Sequence, residues 1–234
     1  VELISLLNDG RFSGAVVDSK AVRQYHTDYA AHILGRIGSI PDREAQAALN
    51  EPYNTAKEAG EDLSGYHYYQ LNEQVGKDGV ELAFESWLRG REGTRAITTD
   101  QNGKITSELY TIDPQPGGTV ALTIDIDFQA KVEAALANGV EAARAGAKND
   151  EERERMKTIG GAAAVVSVKD GEILSLATYP SYSQRTYQED YKLLSQDPAA
   201  PYTNRAVNGA YTPGSTFKPM TAAAALESGI IDPK

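Results

Sequence analysis

Cysteine is absent from the 234 residues. This excludes disulfide staples, thiolate metal sites and a cysteine nucleophile, but leaves the compartment open, because many exported bacterial proteins also lack cysteine. Long hydrophobic runs are absent too: nothing approaches the roughly 18–20 uninterrupted apolar residues of a transmembrane helix, and no charged-then-apolar signal segment opens the chain. The sequence starts at Val1 inside an ordinary amphipathic segment, so an upstream piece, with any membrane anchor, is expected to have been removed. Positive charge is scarce. Lys and Arg number 23 against 33 Asp and Glu, a formal net charge of -10, which argues against binding a nucleic-acid backbone or an anionic membrane surface. The three histidines, His26, His32 and His67, lack the spacing that sets two ligands on one helical face and read as structural or surface residues. Phosphate-cradling glycine motifs and ligand clusters are missing as well, so no metal, nucleotide or organic cofactor is implied.

What is present reads as an α+β protein in two parts. Residues 1–117 mix short helical and strand-like segments with polar turns and carry no internal repeat. Within them GVELAFESWLRG sets Val80, Phe84, Trp87 and Leu88 on one helical face, read as core-facing, with Gly90 placed to close the helix. TRAITT and ITSELYTI flank the turn dipeptide Asn102-Gly103, which predicts a hairpin. The Pro- and Gly-rich DPQPGG is the best linker and places a domain boundary near residue 117.

In residues 118–234, VALTIDID alternates like a half-buried strand. The pattern then turns helical from Phe128 to about Ala145, with Val132, Ala135, Leu136 and Val140 recurring at three and four residues. The charged AKNDEERERMKT reads as a solvated extension or loop. GAAAVVSV and EILSLATY predict a second hairpin around Lys169-Asp170-Gly171. Residues 180–208 lack apolar periodicity and read as a long connection over the surface.

The segment with chemistry is GAYTPGSTFKPMTAAAALESG, in which a Pro-Gly turn delivers the chain into an alanine-rich helix that Gly229 can close. Ser215 then sits at a helix N-terminus, beside unpaired N–H groups and the positive end of the dipole, where negative charge on an oxygen is favoured. Lys218 follows about one turn later and can reach the Ser215 hydroxyl as its base. A Ser-x-x-Lys arises by chance about once in a chain of this length, and a serine at this position is often only a cap. The four-residue pattern therefore needs its context.

That context is a resemblance. NRAVNGAYTPGSTFKPMTAAAALESGIID closely resembles the segment around the catalytic serine of class B penicillin-binding proteins, among which Ser-x-x-Lys is an active-site motif. GAAAVVSVKDGEILSLATYPSY and LTIDIDFQ look like the opening strand pair of that family's transpeptidase domain and the strand and helix start before it. RQYHTDYAAHILGRIG and GVELAFESWLRGREG resemble motifs of its N-terminal pedestal, or dimerisation domain. The resemblance implies a pedestal over residues 1–117, followed by the first part of a transpeptidase domain of the penicillin-binding-protein and serine β-lactamase type, an antiparallel sheet with helices.

The resemblance also implies a function: a peptidoglycan DD-transpeptidase in which Ser215 attacks the penultimate D-alanine of a stem peptide and Lys218 is the general base. The Ser215 N–H supplies half of an oxyanion hole, and Gly214 and Thr216 contact substrate. It implies peptidoglycan stem peptides and β-lactams as ligands, no cofactor, and a membrane-embedded cell-wall glycosyltransferase with division or elongation proteins as partners. The expected location is the outer face of the bacterial cytoplasmic membrane, anchored by an N-terminal helix outside this sequence. Two departures stand out. The family's Ser-x-Asn and Lys-Thr/Ser-Gly motifs are not found before Lys234, which predicts a chain cut short of them, and Ser183 and Gln184 stand where the family often has aspartate and asparagine. A non-catalytic interaction module and a β-lactamase or β-lactam sensor are the competing readings; sequence beyond Lys234 separates the first, and the pedestal speaks against the second.

Overall fold

A computed structural model of the protein describes residues 22–101, 105–157 and 160–232. The amphipathic opening from Val1 and the Asn102-Gly103 turn lie outside the described residues. Regular structure begins with α1, Ala31–Leu34, a single turn entered through Ala30 at φ 60°. Next, β1 (Ile37–Ser39) leads to α2 (Arg43–Glu58), which Asp42 caps by accepting the Ala45 N–H at 2.8 Å, a contact worth about 1 kcal/mol. A 3₁₀ turn at Leu63–Gly65 precedes β2, Gln74–Gly76, which pairs antiparallel with β1. Ile40, Tyr69 and Val75 form a small buried cluster between this pair and α2, with Ala45 and Leu49 packed against it. Asn50 locks the arrangement: its buried carboxamide accepts the Tyr69 N–H at 2.7 Å and donates to the Tyr69 carbonyl at 3.0 Å, satisfying both backbone groups.

The expected continuous helix over GVELAFESWLRG is two: α3, Gly79–Ala83, and α4, Glu85–Leu88, meet at Phe84, whose φ of -117° leaves the helical region. The break rotates the faces, so Phe84 and Trp87 are exposed and the buried position is Glu81, ion-paired with Arg23 at 2.8 Å. The expectation of a core face through Val80, Phe84, Trp87 and Leu88 is corrected at Phe84 and Trp87, while Val80 and Leu88 are half-buried. Gly90 does end the segment, at φ 76°, where a side chain would strike the Gln115 carbonyl. β3 (Thr94–Thr99) and β4 (Ile105–Ile112) then form the antiparallel hairpin that the sequence predicts.

No strand forms over VALTIDID. Thr123 there donates to the Ile173 carbonyl at 2.6 Å, and Asp125 caps α5 by accepting the Phe128 N–H at 2.9 Å. With Asp125 as cap, the end of the alternating run is drawn into the first helical turn, and α5 spans Ile126–Ala145. The charged tract beyond it forms a short exposed helix, α6 (Asp150–Met156), capped by Asn149. β5 (Gly161–Val166) and β6 (Ile173–Tyr179) pair antiparallel, and α5 packs along both.

Residues 180–208 are not a plain connection. They hold α7 (Tyr187–Leu194) and α8 (Arg205–Asn208) around a knot of tyrosines, Tyr182, Tyr187, Tyr191 and Tyr202, with ring centroids 5.0–5.9 Å apart. Tyrosine supplies large apolar faces that a search for aliphatic periodicity overlooks. A second 3₁₀ turn, Gly214–Phe217, runs into the last helix, α9, Lys218–Glu227. No described helix is long and apolar enough to cross a membrane.

Candidate active site

Pro213 opens the Ser215 turn at φ -64°, and Gly214 follows at φ 54°, a left-handed conformation that glycine adopts without strain. The Thr216 N–H closes on the Pro213 carbonyl at 3.2 Å, and the Thr216 hydroxyl donates to the same oxygen. The Thr216 side chain is therefore occupied in holding the turn. Ser215 lies in the 3₁₀ segment, one turn ahead of α9, rather than inside the α-helix itself, and Lys218 is the residue at which 3₁₀ gives way to α.

This geometry bears on the pairing. In a 3₁₀ turn residues i and i+3 eclipse one another, so Ser215 and Lys218 share one edge more closely than α-helical winding alone provides. The two side chains are not hydrogen-bonded to each other, and both are exposed. The Lys218 N–H donates to the Ser215 carbonyl, whereas no bond engages the Ser215 N–H among the described residues. An oxyanion site needs a free backbone donor beside the attacking group, and the Ser215 N–H is such a donor beside an exposed hydroxyl. Gly229 ends α9 at φ 71°, with its N–H on the Leu226 carbonyl at 3.1 Å.

The segment leading into the turn is anchored by residues that the sequence reading passed over. Asn204 caps α8 by accepting the Val207 N–H at 3.2 Å, and its amide donates to the His32 carbonyl at 3.2 Å. An asparagine directly before RAVN was the available signal. His32 sets Nε2 2.8 Å from the Pro201 carbonyl, with Nδ1 3.4 Å from the Ser181 hydroxyl. Burial pulls the His32 pKa below the usual imidazole value, with Arg205 adding to the shift against the Pro201 contact and Asp78. His67 pairs with Glu73 at 2.9 Å, and His26 is exposed. Among the described residues, no group of three or more His, Asp or Glu side chains could hold a metal.

The described residues thus form small antiparallel sheets braced by helices, with a serine turn feeding a helix that opens on lysine. The comparison with known proteins makes this specific. Residues 5–122 match the penicillin-binding protein dimerisation domain, and residues 161–234 match the penicillin-binding protein transpeptidase domain. The chain belongs to the penicillin-binding protein family.

Its similarity to the peptidoglycan D,D-transpeptidase MrdA of Acinetobacter baumannii is 30% identity over 228 residues, covering 95% of this chain and 29% of that protein. The FtsI transpeptidase of Escherichia coli is 34% identical over 156 residues, covering 67% of this chain and 23% of the relative. Among solved structures, a chain from a peptidoglycan synthase complex coordinating polymerization and crosslinking superposes at a TM-score of 0.69 with 30% identity, over 90% of this chain and 34% of that one. A complex between a penicillin-binding protein and MreC from Helicobacter pylori shares the fold at a TM-score of 0.59, with 21% identity over 86% of this chain and 31% of the other. The chain thus spans about three-tenths of the length of the MrdA relatives that it matches.

Proposed function

We propose that the protein is a serine DD-transpeptidase that cross-links peptidoglycan stem peptides. The observation that supports this reading is the 3₁₀ turn, in which the Lys218 N–H closes on the Ser215 carbonyl while no bond engages the Ser215 N–H among the described residues, in a chain of this family. The Ser215 Oγ attacks the penultimate D-alanine carbonyl while its proton passes to the Lys218 amine. The tetrahedral oxyanion is held in part by the Ser215 N–H. The C–N bond to the terminal D-alanine breaks, its nitrogen takes up a proton, and a serine ester remains. The amine of a second stem peptide then attacks that ester, forming the cross-link and restoring the serine. A β-lactam opens at the same hydroxyl and stays as a stable ester.

Gly214 shapes the approach and, with the backbone at Thr216, contacts substrate. The remaining donors are proposed to come from the Ser-x-Asn and Lys-Thr/Ser-Gly motifs of the whole protein. The pedestal is placed at residues 1–117 and the start of the transpeptidase domain at 118–234. By analogy with the complexes in which its structural relatives are found, the pedestal is assigned to partners in cell-wall synthesis, a membrane-embedded glycosyltransferase and elongation or division proteins, at the outer face of the cytoplasmic membrane.

The test is intact-mass measurement of the natural full-length protein after incubation with a penicillin, beside Ser215→Ala. One covalent adduct mapped to Ser215 and lost in the variant is the expected result. A folded protein left unlabelled over hours sinks the enzyme reading and favours an interaction role for the pedestal.

A further inference from the structure

From Val207 to Asp232 every residue is exposed except the half-buried Ala225. The arm that carries Ser215 therefore leaves the packed part of the described structure at α8, and the rooting of that short helix decides where the serine turn is presented.

The root is a closed ring of hydrogen bonds where the first part of the chain meets the second. His32, in α1, sets Nε2 2.8 Å from the Pro201 carbonyl, and because a carbonyl only accepts, this nitrogen carries the proton. Three residues on, the Asn204 amide donates to the His32 carbonyl at 3.2 Å, while its oxygen accepts the Val207 N–H at 3.2 Å. The connection thus runs from the imidazole through residues 201–204 and back to the His32 backbone.

Arg205 braces the same turn. Its two terminal nitrogens donate to the Ala199 and Ala200 carbonyls. A Cβ on Gly160 would lie 2.3 Å from its Nε, so the guanidinium rests against bare backbone. Three successive carbonyls, of residues 199, 200 and 201, are each taken by Arg205 or His32. The turn bearing them holds Ala200 at φ 45°, a left-handed conformation that a non-glycine residue keeps only where its surroundings impose it.

Short links join this root to the serine. Thr178 of β6 accepts the Ala206 N–H at 3.3 Å, tying α8 to the sheet. The Gly209 N–H closes on the Arg205 carbonyl at 3.2 Å, and a Cβ on Gly209 would lie 2.3 Å from the Tyr211 ring, so that ring packs against the bare end of α8. Pro213 and the Thr216 closure then shape the turn itself. A nucleophile misplaced by about 1 Å can cost about 10²-fold in rate. We infer that His32, Asn204 and Arg205 are positioning residues for acylation, which act through the α8 arm to set where the Ser215 hydroxyl meets the carbonyl it attacks. This rests on the transpeptidase reading above.

The experiment uses the natural full-length protein. Acylation by a fluorescent penicillin is resolved into a binding constant and an acylation rate constant, the folded fraction is measured by denaturation, and hydrogen exchange over residues 209–217 is followed by mass spectrometry. Asn204→Asp separates the two duties of this side chain, since aspartate caps a helix as well as asparagine but has no N–H to give the His32 carbonyl. The acylation rate constant should fall about tenfold, with penicillin binding kept within about twofold and exchange over 209–217 quickened about tenfold, as a loosened arm gives. His32→Ala should behave alike, whereas His32→Gln, which still donates to Pro201, should stay within about threefold of the wild type. An unchanged acylation rate constant in both Asn204→Asp and His32→Ala overturns the inference, whatever the exchange shows. A loss confined to penicillin binding, a loss that only follows the folded fraction, or an equal loss in His32→Gln and His32→Ala overturns it too. A wild type that penicillin leaves unlabelled sinks the transpeptidase reading and the acylation role with it, while a labelled wild type with unaffected variants sinks the positioning role alone.

Discussion

The Ser175 hydroxyl donates to Gln129 Oε1 at 2.6 Å, with both residues fully buried. The same carboxamide accepts the Leu176 N–H at 3.0 Å and donates to the Leu176 carbonyl at 2.7 Å, so a side chain of α5 pairs with β6 as a neighbouring strand would. Gln129 also donates to Glu133, which accepts the Ala30 N–H at 2.8 Å. A continuous line of hydrogen bonds thus runs from β6 through α5 to the start of α1. Replacing Gln129 with leucine preserves bulk but strands the Leu176 backbone and the Ser175 hydroxyl. We expect a loss of about 2–4 kcal/mol in Gln129→Leu and about 1 kcal/mol in Ser175→Ala, measured by chemical denaturation. Equal and small losses in the two variants would show that water satisfies these groups.

Much of this was legible from local pattern. The two hairpins, α5 and the Ser215 turn all follow from strand-forming residues beside turn dipeptides, from three-and-four spacing, and from Pro213-Gly214. What escaped was set by partners distant in sequence. Phe84 breaks the α3–α4 segment and turns Glu81, not Trp87, inward, and no local period announces a buried carboxylate. The alternation in VALTIDID suggests a strand, but Asp125 is used as a helix cap instead. Ser183 and Gln184, read only as departures from a family pattern, grip the first part of the chain: Ser183 donates to Asp28 at 2.8 Å, and Gln184 donates to the Gly35 carbonyl. That Ser215 and Lys218 lie about one turn apart was legible as spacing, and the structure adds the 3₁₀ winding between them.

Lys218 gives the sharpest test of mechanism. Arginine at this position keeps the charge and length but stays protonated, so it cannot accept the serine proton. Because residue 218 is exposed, the exchange leaves packing untouched. Acylation by a fluorescent penicillin in the full-length protein should slow by about 10²–10⁴-fold in Lys218→Arg, the share owed to a general base. A rate within severalfold of the wild type would remove Lys218 from that role.

His32 predicts a pH dependence. Its pKa is depressed by burial, so the folded protein prefers the neutral ring, which donates from Nε2 to Pro201. An unfolded histidine, titrating near 6.5, takes up a proton that the folded one declines. Stability from this residue is therefore complete above about pH 6.5 and drains away as the pH falls toward the folded value. The slope stays below about 1.4 kcal/mol per pH unit, the limit for one proton. His32→Gln can still donate to the Pro201 carbonyl and should flatten this part of the curve. Denaturation midpoints between about pH 7.5 and 5 decide the matter, and an unchanged slope in the variant assigns the acid sensitivity to other groups.

Three glycines separate backbone strain from steric contact. Gly35 has φ 75°, and a Cβ there would sit 1.9 Å from the Asp78 carbonyl oxygen, on the seam where α1 meets α3. Gly60 has φ 71° but open space around it, and Gly139 lies within α5 with nothing within 4 Å. Gly60→Ala should therefore cost only the left-handed penalty, about 1–2 kcal/mol. Gly139→Ala should gain about 0.5–1 kcal/mol, because helical alanine surrenders less chain entropy. Gly35→Ala bears both strain and collision, and the collision is with backbone that cannot swing aside as a side chain does, so its loss should clearly exceed that of Gly60→Ala. Denaturant titration of the three variants should rank them in that order. If Gly35→Ala proved no worse than Gly60→Ala, the α1–α3 seam would have to be loose enough to part, and the grip of Gln184 on the Gly35 carbonyl would be too weak to hold it.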